Sequence, residues 1–182
     1  MRKGELKNLI RDVPDFPKQG IIFKDITTLL ENKEAFKKAI DLLASKFKKK
    51  NIEKVVSIES RGFIFGAALA YKPKAGFIPV RKKGKLPYKT KSVTYELEYG
   101  TDTLEIHEDA IKPNTRVLLV DDLLATGGTM KAVVDLLKSQ QATIIGIVFL
   151  IELRFLKGKE KLKDFPVYSA IKYWYCTQLK NS

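Results

Sequence analysis

Residues 117–129 read Val-Leu-Leu-Val-Asp-Asp-Leu-Leu-Ala-Thr-Gly-Gly-Thr. This stretch opens on an apolar run typical of a buried strand, continues through the acids Asp121 and Asp122, and ends in a turn of Thr and Gly. Residues 130–140 then place Met, Val and Leu at helical spacing. A buried strand that passes through a short turn into a helix is a recurring unit of parallel sheets. The stretch therefore predicts an α/β fold.

The same alternation extends to both sides of this stretch. Helices are predicted over residues 33–50, after a capping Asn32, over 63–71 and from 130 to about 140, and strands over 55–58, 75–80, 116–120 and 143–151. Strands that are apolar along nearly their whole length belong to parallel sheets covered on both faces. We therefore expect a single domain spanning residues 1–182, built on a doubly wound, mainly parallel sheet with helices on both faces.

Residues 81–114 interrupt this pattern. They begin with the basic string Arg-Lys-Lys-Gly-Lys at 81–85, and two segments of alternating polarity follow at 94–99 and 104–107. The residues between these segments, Gly-Thr-Asp at 100–102, are typical of a turn, so the pair predicts an antiparallel hairpin with a basic lead-in. So long an excursion from a compact sheet is more often functional than accidental.

The turn at residues 125–129 has the composition of a phosphate-binding loop. Its two glycines let backbone N–H groups approach an anion, the helix that follows presents its N-terminus, and Thr126 and Thr129 add hydroxyl donors. The nearby Asp121 and Asp122 would repel a phosphate, but they can accept hydrogen bonds from vicinal sugar hydroxyls or hold hydrated magnesium. A phosphorylated ribose satisfies both halves of the pattern. Taken singly, each part also fits an ordinary capped turn.

Composition excludes several kinds of site and leaves others open. The chain has one His, at position 107, and one Cys, at position 176, which excludes an internal disulfide and a zinc site of mixed nitrogen and sulfur ligands. The 34 basic and 21 acidic residues give a net charge of +13, which suits nucleic acid, membrane lipid, a small polyanion or simply a lysine-rich surface. Because the sequence shows neither an apolar span of about 18 residues nor a secretory leader, we expect a cytoplasmic protein without a membrane partner.

The stretch at 117–129 closely resembles the phosphoribosyl pyrophosphate signature of the type I phosphoribosyltransferases. Further matches, in order from about residue 5 to 170, make the chain similar to the adenine phosphoribosyltransferases of that family. They are Phe16-Pro17, Gly20-Ile-Ile-Phe-Lys-Asp-Ile26, Glu59-Ser-Arg-Gly-Phe63, Arg81-Lys-Lys-Gly-Lys-Leu-Pro87, Leu97-Glu-Tyr-Gly100, Ile151-Glu-Leu153 and Leu156-Lys-Gly158. The resemblance implies transfer of the 5-phosphoribosyl group from phosphoribosyl pyrophosphate to adenine, giving AMP and pyrophosphate in purine salvage.

The resemblance also implies the surroundings of that reaction. The type I fold adds a small hood, formed here by about residues 1–30 and the C-terminal part, and a flexible antiparallel loop at about 81–107. The expected cofactor is Mg²⁺, held mainly by the substrate, with Asp121, Asp122 and water as the groups through which the protein would reach it. The family is usually homodimeric, and no nucleic-acid partner is expected.

The resemblance assigns roles in binding phosphates and in catalysis. The implied catalytic residues are Arg61, Glu98 as the family's proton-transfer acid, and Asp121 and Asp122 facing the ribose hydroxyls. The implied ligands of the 5′-phosphate are Ala125, Thr126, Gly127, Gly128 and Thr129. Those of pyrophosphate are Ser60, Arg61, Lys83 and Lys85. A non-proline cis peptide is expected near Glu59–Ser60.

The resemblance also assigns a pocket for the base. Phe23 would stack on adenine with Leu153 on the other face, backbone groups of Ile22 and Lys24 would contact the base edge, and Tyr99 would lie with Glu98 on the flexible loop. Relatives that act on 6-oxopurines usually carry an Asp where Ala125 stands, which argues against hypoxanthine and guanine. Lys24 and Lys83 stand where some members have Arg, which would keep the charge but weaken a bidentate phosphate contact.

Two other functions fit parts of the sequence. Some regulators reuse this fold to sense phosphoribosyl pyrophosphate while binding DNA or RNA, and the charge of +13 would suit them. Transferases for another base, such as orotate or xanthine, are the second alternative. Phe23 and the Leu-Glu-Tyr-Gly match at 97–100 argue against that second alternative.

Overall fold

The computed structural model describes residues 3–96 and 100–175. The helices are α1 (Lys3–Lys7), α2 (Thr27–Leu30), α3 (Lys33–Ser45), α4 (Gly62–Tyr71) and α5 (Gly128–Ser139), and 3₁₀ turns cover Arg154–Leu156 and Gly158–Leu162. The strands are β1 (Arg11–Val13), β2 (Phe23–Asp25), β3 (Lys54–Ile58), β4 (Gly76–Lys82), β5 (Thr90–Glu96), β6 (Thr101–His107), β7 (Arg116–Leu124), β8 (Thr143–Leu153) and β9 (Val167–Tyr173).

Seven strands form one sheet in the order β5-β6-β4-β3-β7-β8-β9, and β1 pairs with β2 in a separate small sheet. Strands β4, β3, β7, β8 and β9 run parallel, whereas β6 is antiparallel to both of its neighbours. From β3 the chain moves to β4 on one side, and from β7 it moves to β8 on the other. The sheet therefore has a topological switch point between β3 and β7, the place where doubly wound folds bind ligands.

Hydrophobic cores cover both faces of this sheet. On one face, α3 and α4 pack against Leu118 and Val120 of β7, and on the other face α5 packs against Val117 and Leu119. Successive side chains of a strand point to opposite faces, so one uninterrupted apolar run supplies both cores. The predicted doubly wound α/β fold, with helices on both faces, is confirmed.

Two predicted elements have different ends in the structure. Asn32 caps α3 as predicted, because its side chain accepts a hydrogen bond from the Ala35 amide at 3.0 Å. The helix stops at Ser45, however, so the lysines at 48–50 lie beyond it and the prediction of a helix to residue 50 was wrong. Strand β7 is longer than predicted, since it continues through both acids to Leu124.

Strand β9 was not predicted, and it supports the N-terminal part of the chain. Lys24 of β2 is buried, with its Nζ 2.6 Å from Asp12 Oδ1 and 4.2 Å from the centre of the Tyr173 ring. Helix α1 approaches the same ring, because Lys7 Nζ lies 4.4 Å from its centre. The small N-terminal sheet is thus held against the carboxyl end of β9.

Strands β5 and β6 form the predicted antiparallel hairpin at one edge of the sheet. The hairpin joins the parallel part through the pairs Arg81↔Glu105 and Lys82↔Leu104. Residues 97–99, which include Glu98 and Tyr99, lie outside the described residues. Within the described ranges, no helix is both long and apolar enough to cross a membrane.

Candidate active site

The turn between β7 and α5 borders a cavity of about 220 Å³ at the switch point. Gly127 is the N-cap of α5 and adopts a φ of 78°, in the left-handed region that favours glycine. No described side chain caps this helix, Thr126 included. The first backbone N–H groups of α5 are therefore left for a ligand, and an anion is the ligand that a helix N-terminus favours.

The backbone of Gly158 holds this turn in place. A Cβ atom at Gly158 would lie 2.1 Å from the Ala125 carbonyl oxygen and 2.8 Å from the Gly127 nitrogen. In the other direction, a Cβ atom at Gly127 would lie 2.4 Å from the Gly158 carbonyl oxygen. The two segments approach so closely because neither glycine has a side chain. Gly158 belongs to the Leu-Lys-Gly match at 156–158, but the sequence assigned it no role.

Asp121 and Asp122 line the same cavity from β7. The backbone N–H of Asp122 donates to Asp121 Oδ1 at 2.9 Å. The absence of a side chain at Gly62 makes room for Asp121, because a Cβ there would lie 2.7 Å from its Oδ1. Burial, followed by repulsion from Asp122, raises the pKa of Asp121 well above its usual range. Burial also raises the pKa of Asp122, against the lowering effect of Arg61.

Arg61 connects these acids to the N-terminal sheet. It is the N-cap residue of α4, directly after the turn that follows β3. Its Nη2 lies 2.8 Å from Asp122 Oδ2, and its Cζ lies 4.6 Å from the centre of the Phe23 ring. Its Nη1 donates to the Lys24 carbonyl at 3.4 Å. One guanidinium thus touches both the predicted ribose site and the predicted base site.

Glu59 ties the basic string at 81–85 to the turn that contains Ser60. Its carboxylate accepts hydrogen bonds from Arg81 Nε at 3.0 Å and from the Lys82 amide at 2.6 Å, and Lys85 Nζ lies 3.3 Å away. Burial raises the pKa of Glu59, but these three donors together outweigh burial and leave that pKa below its usual range. The expected cis peptide is present between Glu59 and Ser60. The two predicted pyrophosphate segments are therefore adjacent, and Lys83 is exposed beside them.

The predicted base-binding residues are only partly brought together. The ring of Phe23 packs against Arg61, which lines the cavity. It also packs edge-on against Phe16, with the ring centres 5.1 Å apart. Half-buried Ile22 precedes it, and Leu153 ends β8 at the carboxyl edge of the sheet. The side chain of Lys24 points to Asp12 and does not line the cavity, so its place in a phosphate contact stays a prediction. Its backbone carbonyl does face the site through Arg61.

Comparison with known proteins agrees with this arrangement. The family model of the phosphoribosyl transferase domain matches residues 25–177. Adenine phosphoribosyltransferase of Acidobacterium capsulatum is 60% identical over 168 residues, which cover 92% of this chain and 93% of that protein.

Solved structures give the same result. Adenine phosphoribosyltransferase of Thermoanaerobacter pseudethanolicus superposes with a TM-score of 0.91 at 50% identity, covering 94% of this chain and all of that one (100%). The Saccharomyces cerevisiae enzyme, solved with D-2,5-dideoxy-2,5-imino-altritol 1,6-bisphosphate and adenine, has a TM-score of 0.86 at 41% identity, covering 92% of this chain and 97% of its own. The chain therefore belongs to the phosphoribosyl transferase domain family and, within it, to the adenine phosphoribosyltransferases.

Proposed function

We propose that this chain transfers the 5-phosphoribosyl group of phosphoribosyl pyrophosphate to adenine, giving AMP and pyrophosphate. The observation that carries the proposal is the meeting of an uncapped helix N-terminus with Asp121 and Asp122 at the switch point of the sheet. The three relatives described above are all named adenine phosphoribosyltransferases, and adenine is bound in the yeast structure.

The positions of the phosphate turn and of the two acids favour one orientation for the phosphorylated ribose. Backbone N–H groups of residues 127–129 and the hydroxyls of Thr126 and Thr129 bind the 5′-phosphate. Asp121 and Asp122 accept hydrogen bonds from the ribose hydroxyls, since their carboxylates line the same cavity. The phosphate therefore lies at α5 and the sugar extends toward β3 and the cation of Arg61.

The departing pyrophosphate leaves toward the cations at the end of β3. As the C1–O bond breaks, positive charge develops on the ribose and negative charge on the leaving group. Arg61 faces the cavity, while Lys83 and Lys85 stand on the loop that Glu59 holds beside Ser60. Fixed positive groups aimed at developing negative charge lower the barrier without reorganisation.

We propose Mg²⁺ as the cofactor, held mainly by the phosphates of the substrate. Among the described residues, no group of three or more His, Cys, Asp or Glu side chains could hold a metal alone. Two carboxylates, Asp121 and Asp122, do face the cavity, and Mg²⁺ prefers oxygen ligands and keeps part of its water shell. When bound, the ion neutralises part of the charge on pyrophosphate.

For the base, we propose that adenine stacks on Phe23, with Leu153 on its other face and the backbone of Ile22 and Lys24 at its edge. Ala125 has no carboxylate that could act on a 6-oxopurine, which favours adenine. Glu98, outside the described residues, is our candidate for proton transfer at the adenine ring, with Tyr99 beside it. These assignments place the base between the N-terminal sheet and β8.

We propose a homodimer in the cytoplasm. Helix α4 is apolar on nearly every side, and Ile64 and Tyr71 of α4 and Phe77 of β4 expose large apolar side chains. Phe63 of α4 packs edge-on against Phe77 with ring centres 5.7 Å apart, so exposed apolar side chains of α4 and β4 occur on neighbouring elements. Exposed apolar patches of this kind mark protein interfaces. The partner we propose is a second copy of the chain, because the family is usually homodimeric.

The test is turnover with phosphoribosyl pyrophosphate and Mg²⁺ while adenine, hypoxanthine, guanine and orotate are offered separately. We expect AMP from adenine and at most traces of nucleotide from the other bases. Comparable IMP from hypoxanthine would refute the role of Ala125. Binding of phosphoribosyl pyrophosphate without nucleotide from any base, together with salt-sensitive retention of DNA or RNA, would favour the regulator instead.

A further inference from the structure

Tyr95 of β5 is the described hairpin residue that reaches the phosphate turn. Its side chain is half-buried and, with Val93, packs against the core that also contains α5. The hairpin lies close to the start of that helix, since a Cβ atom at Gly128 would be 3.9 Å from the carbonyl oxygen of Glu96. Tyr95 therefore sits between the hairpin and the predicted 5′-phosphate site.

The phenol contacts a predicted phosphate ligand directly. Thr129 Oγ1 donates a hydrogen bond to Tyr95 Oη at 3.4 Å. Burial raises the pKa of Tyr95, against the lowering effect of the Thr129 contact, so the phenol keeps its proton at neutral pH. Tyr95 thus accepts from Thr129 in this contact and keeps a phenolic proton that it can donate.

A bound phosphate would reverse this hydrogen bond. A hydroxyl has one proton to donate and two lone pairs that accept. Once Thr129 donates to a charged phosphate oxygen, its own oxygen is free to accept from Tyr95, and hydrogen bonds in such a chain strengthen one another. The contact between the hairpin and α5 would then be tighter with phosphate present than without it.

We propose that Tyr95 is a positioning residue that couples the hairpin to occupancy of the 5′-phosphate site through Thr129. The coupling strengthens the existing contact between β5 and the start of α5 when a phosphate is bound. The inference rests on the proposed function, because it needs a 5′-phosphorylated ligand in the cavity.

The first test compares Tyr95→Phe with wild type for binding of AMP and of adenosine, which lacks the phosphate. We expect Tyr95→Phe to lose roughly three- to tenfold in affinity for AMP and little for adenosine, because only the hydroxyl is removed. Tyr88→Phe is the matched control, since Tyr88 is an exposed tyrosine of the same excursion. Equal losses for both ligands would show a packing role and overturn the proposal.

The second test is hydrogen exchange of residues 90–107 with and without ribose 5-phosphate. Protection by the ligand is expected in wild type and Tyr88→Phe, and it should be largely lost in Tyr95→Phe. Thr129→Ala should abolish the effect of Tyr95→Phe, so that the double variant binds AMP no more weakly than Thr129→Ala alone. Additive losses, or full protection in Tyr95→Phe, would overturn the coupling. Failure of the wild type itself to bind AMP would instead contradict the proposed function.

Discussion

The guanidinium of Arg61 places Nη2 at 2.8 Å from Oδ2 of Asp122, so a cation after β3 and an acid of β7 meet across the switch point. The same guanidinium covers the ring of Phe23 at 4.6 Å. Lys carries the same charge, but it cannot reproduce a planar contact with a carboxylate and a ring together.

Arg61→Lys should therefore lower kcat by about a hundredfold or more, because a fixed positive group is lost at the leaving group. Steady-state kinetics with adenine as the base measures this. Arg116→Lys is the control at the opposite end of β7, where Arg116 donates to the Lys50 and Asn51 carbonyls at 2.9 Å each. A kcat for Arg61→Lys within a few-fold of wild type would show that Arg61 does not act in the chemical step.

Asp121→Asn should lower turnover by orders of magnitude yet raise thermal stability at neutral pH. Folding raises the pKa of the Asp121 carboxyl above the value in the unfolded chain, which is about 4. The free energy of unfolding therefore falls as the pH rises from that unfolded pKa through the folded pKa. The Asn side chain does not titrate, so the Tm of the variant minus that of wild type should grow across this window. Below about pH 4 the difference should be constant, because Asp121 is then neutral in both states.

The measurement for Asp121→Asn is thermal unfolding against pH, in chelator and without substrate. A Tm difference that stays the same from pH 3.5 to 7.5 would show that the folded protein does not disfavour the charge of Asp121. Glu108→Gln provides a matched control, since Glu108 is an exposed acid outside the site.

Gly158→Ala should impair the phosphate turn, although Gly158 is not itself a predicted ligand of the substrate. The added methyl would lie 2.1 Å from the Ala125 carbonyl oxygen, so the backbone of the turn must shift. We expect the KM for phosphoribosyl pyrophosphate to rise at least tenfold and the free energy of unfolding to fall by about 1–3 kcal/mol. Gly4→Ala is the control, because its Cβ would have no heavy atom within 4 Å. Kinetics together with urea unfolding measure both effects, and an unchanged KM would contradict the close packing.

Gln140→Met should stabilise the protein by about 1–2 kcal/mol. The side chain is 5% exposed, and neither its Nε2 nor its Oε1 has a hydrogen-bond partner among the described residues. The backbone N–H of Gln140 still donates to Leu137, and Met keeps that bond. Chemical denaturation checks the change, with Gln19→Met as the exposed control. A loss of stability would indicate that ordered water satisfies the amide.

The apolar strands could be predicted because the runs of apolar residues in the sequence are the residues that the core buries. Residues 143–151 were predicted as a strand, and β8 covers Thr143–Leu153. The helix predicted at 33–50 ran too far because Phe47 continues the apolar spacing, although it is buried from a turn beyond Ser45. Strands β1 and β2 have three residues each, too few to show any periodicity.

The residues of the site also fall into two groups, those that are contiguous in the chain and those that only folding brings together. The acids and the phosphate turn are contiguous in the chain, so their order alone indicated a phosphorylated sugar. Tyr95, Gly158 and Glu59 reach the site from other segments, and only the folded chain brings them to it. The role of Phe23 came from the family resemblance, and its contact with Arg61 gives that role a physical basis.

The burial of Lys24 against Tyr173 has a consequence for the order in which a ribosome makes a working molecule. Strand β2, which carries Phe23, is supported by β9, which is synthesised later than the strands β3 and β7 of the ribose and phosphate site. The ribose and phosphate site can therefore assemble on the nascent chain before the base pocket does. A nascent chain that still lacks β9 has no support for β2 at Tyr173, so we expect transfer to a base only after β9 has joined the sheet.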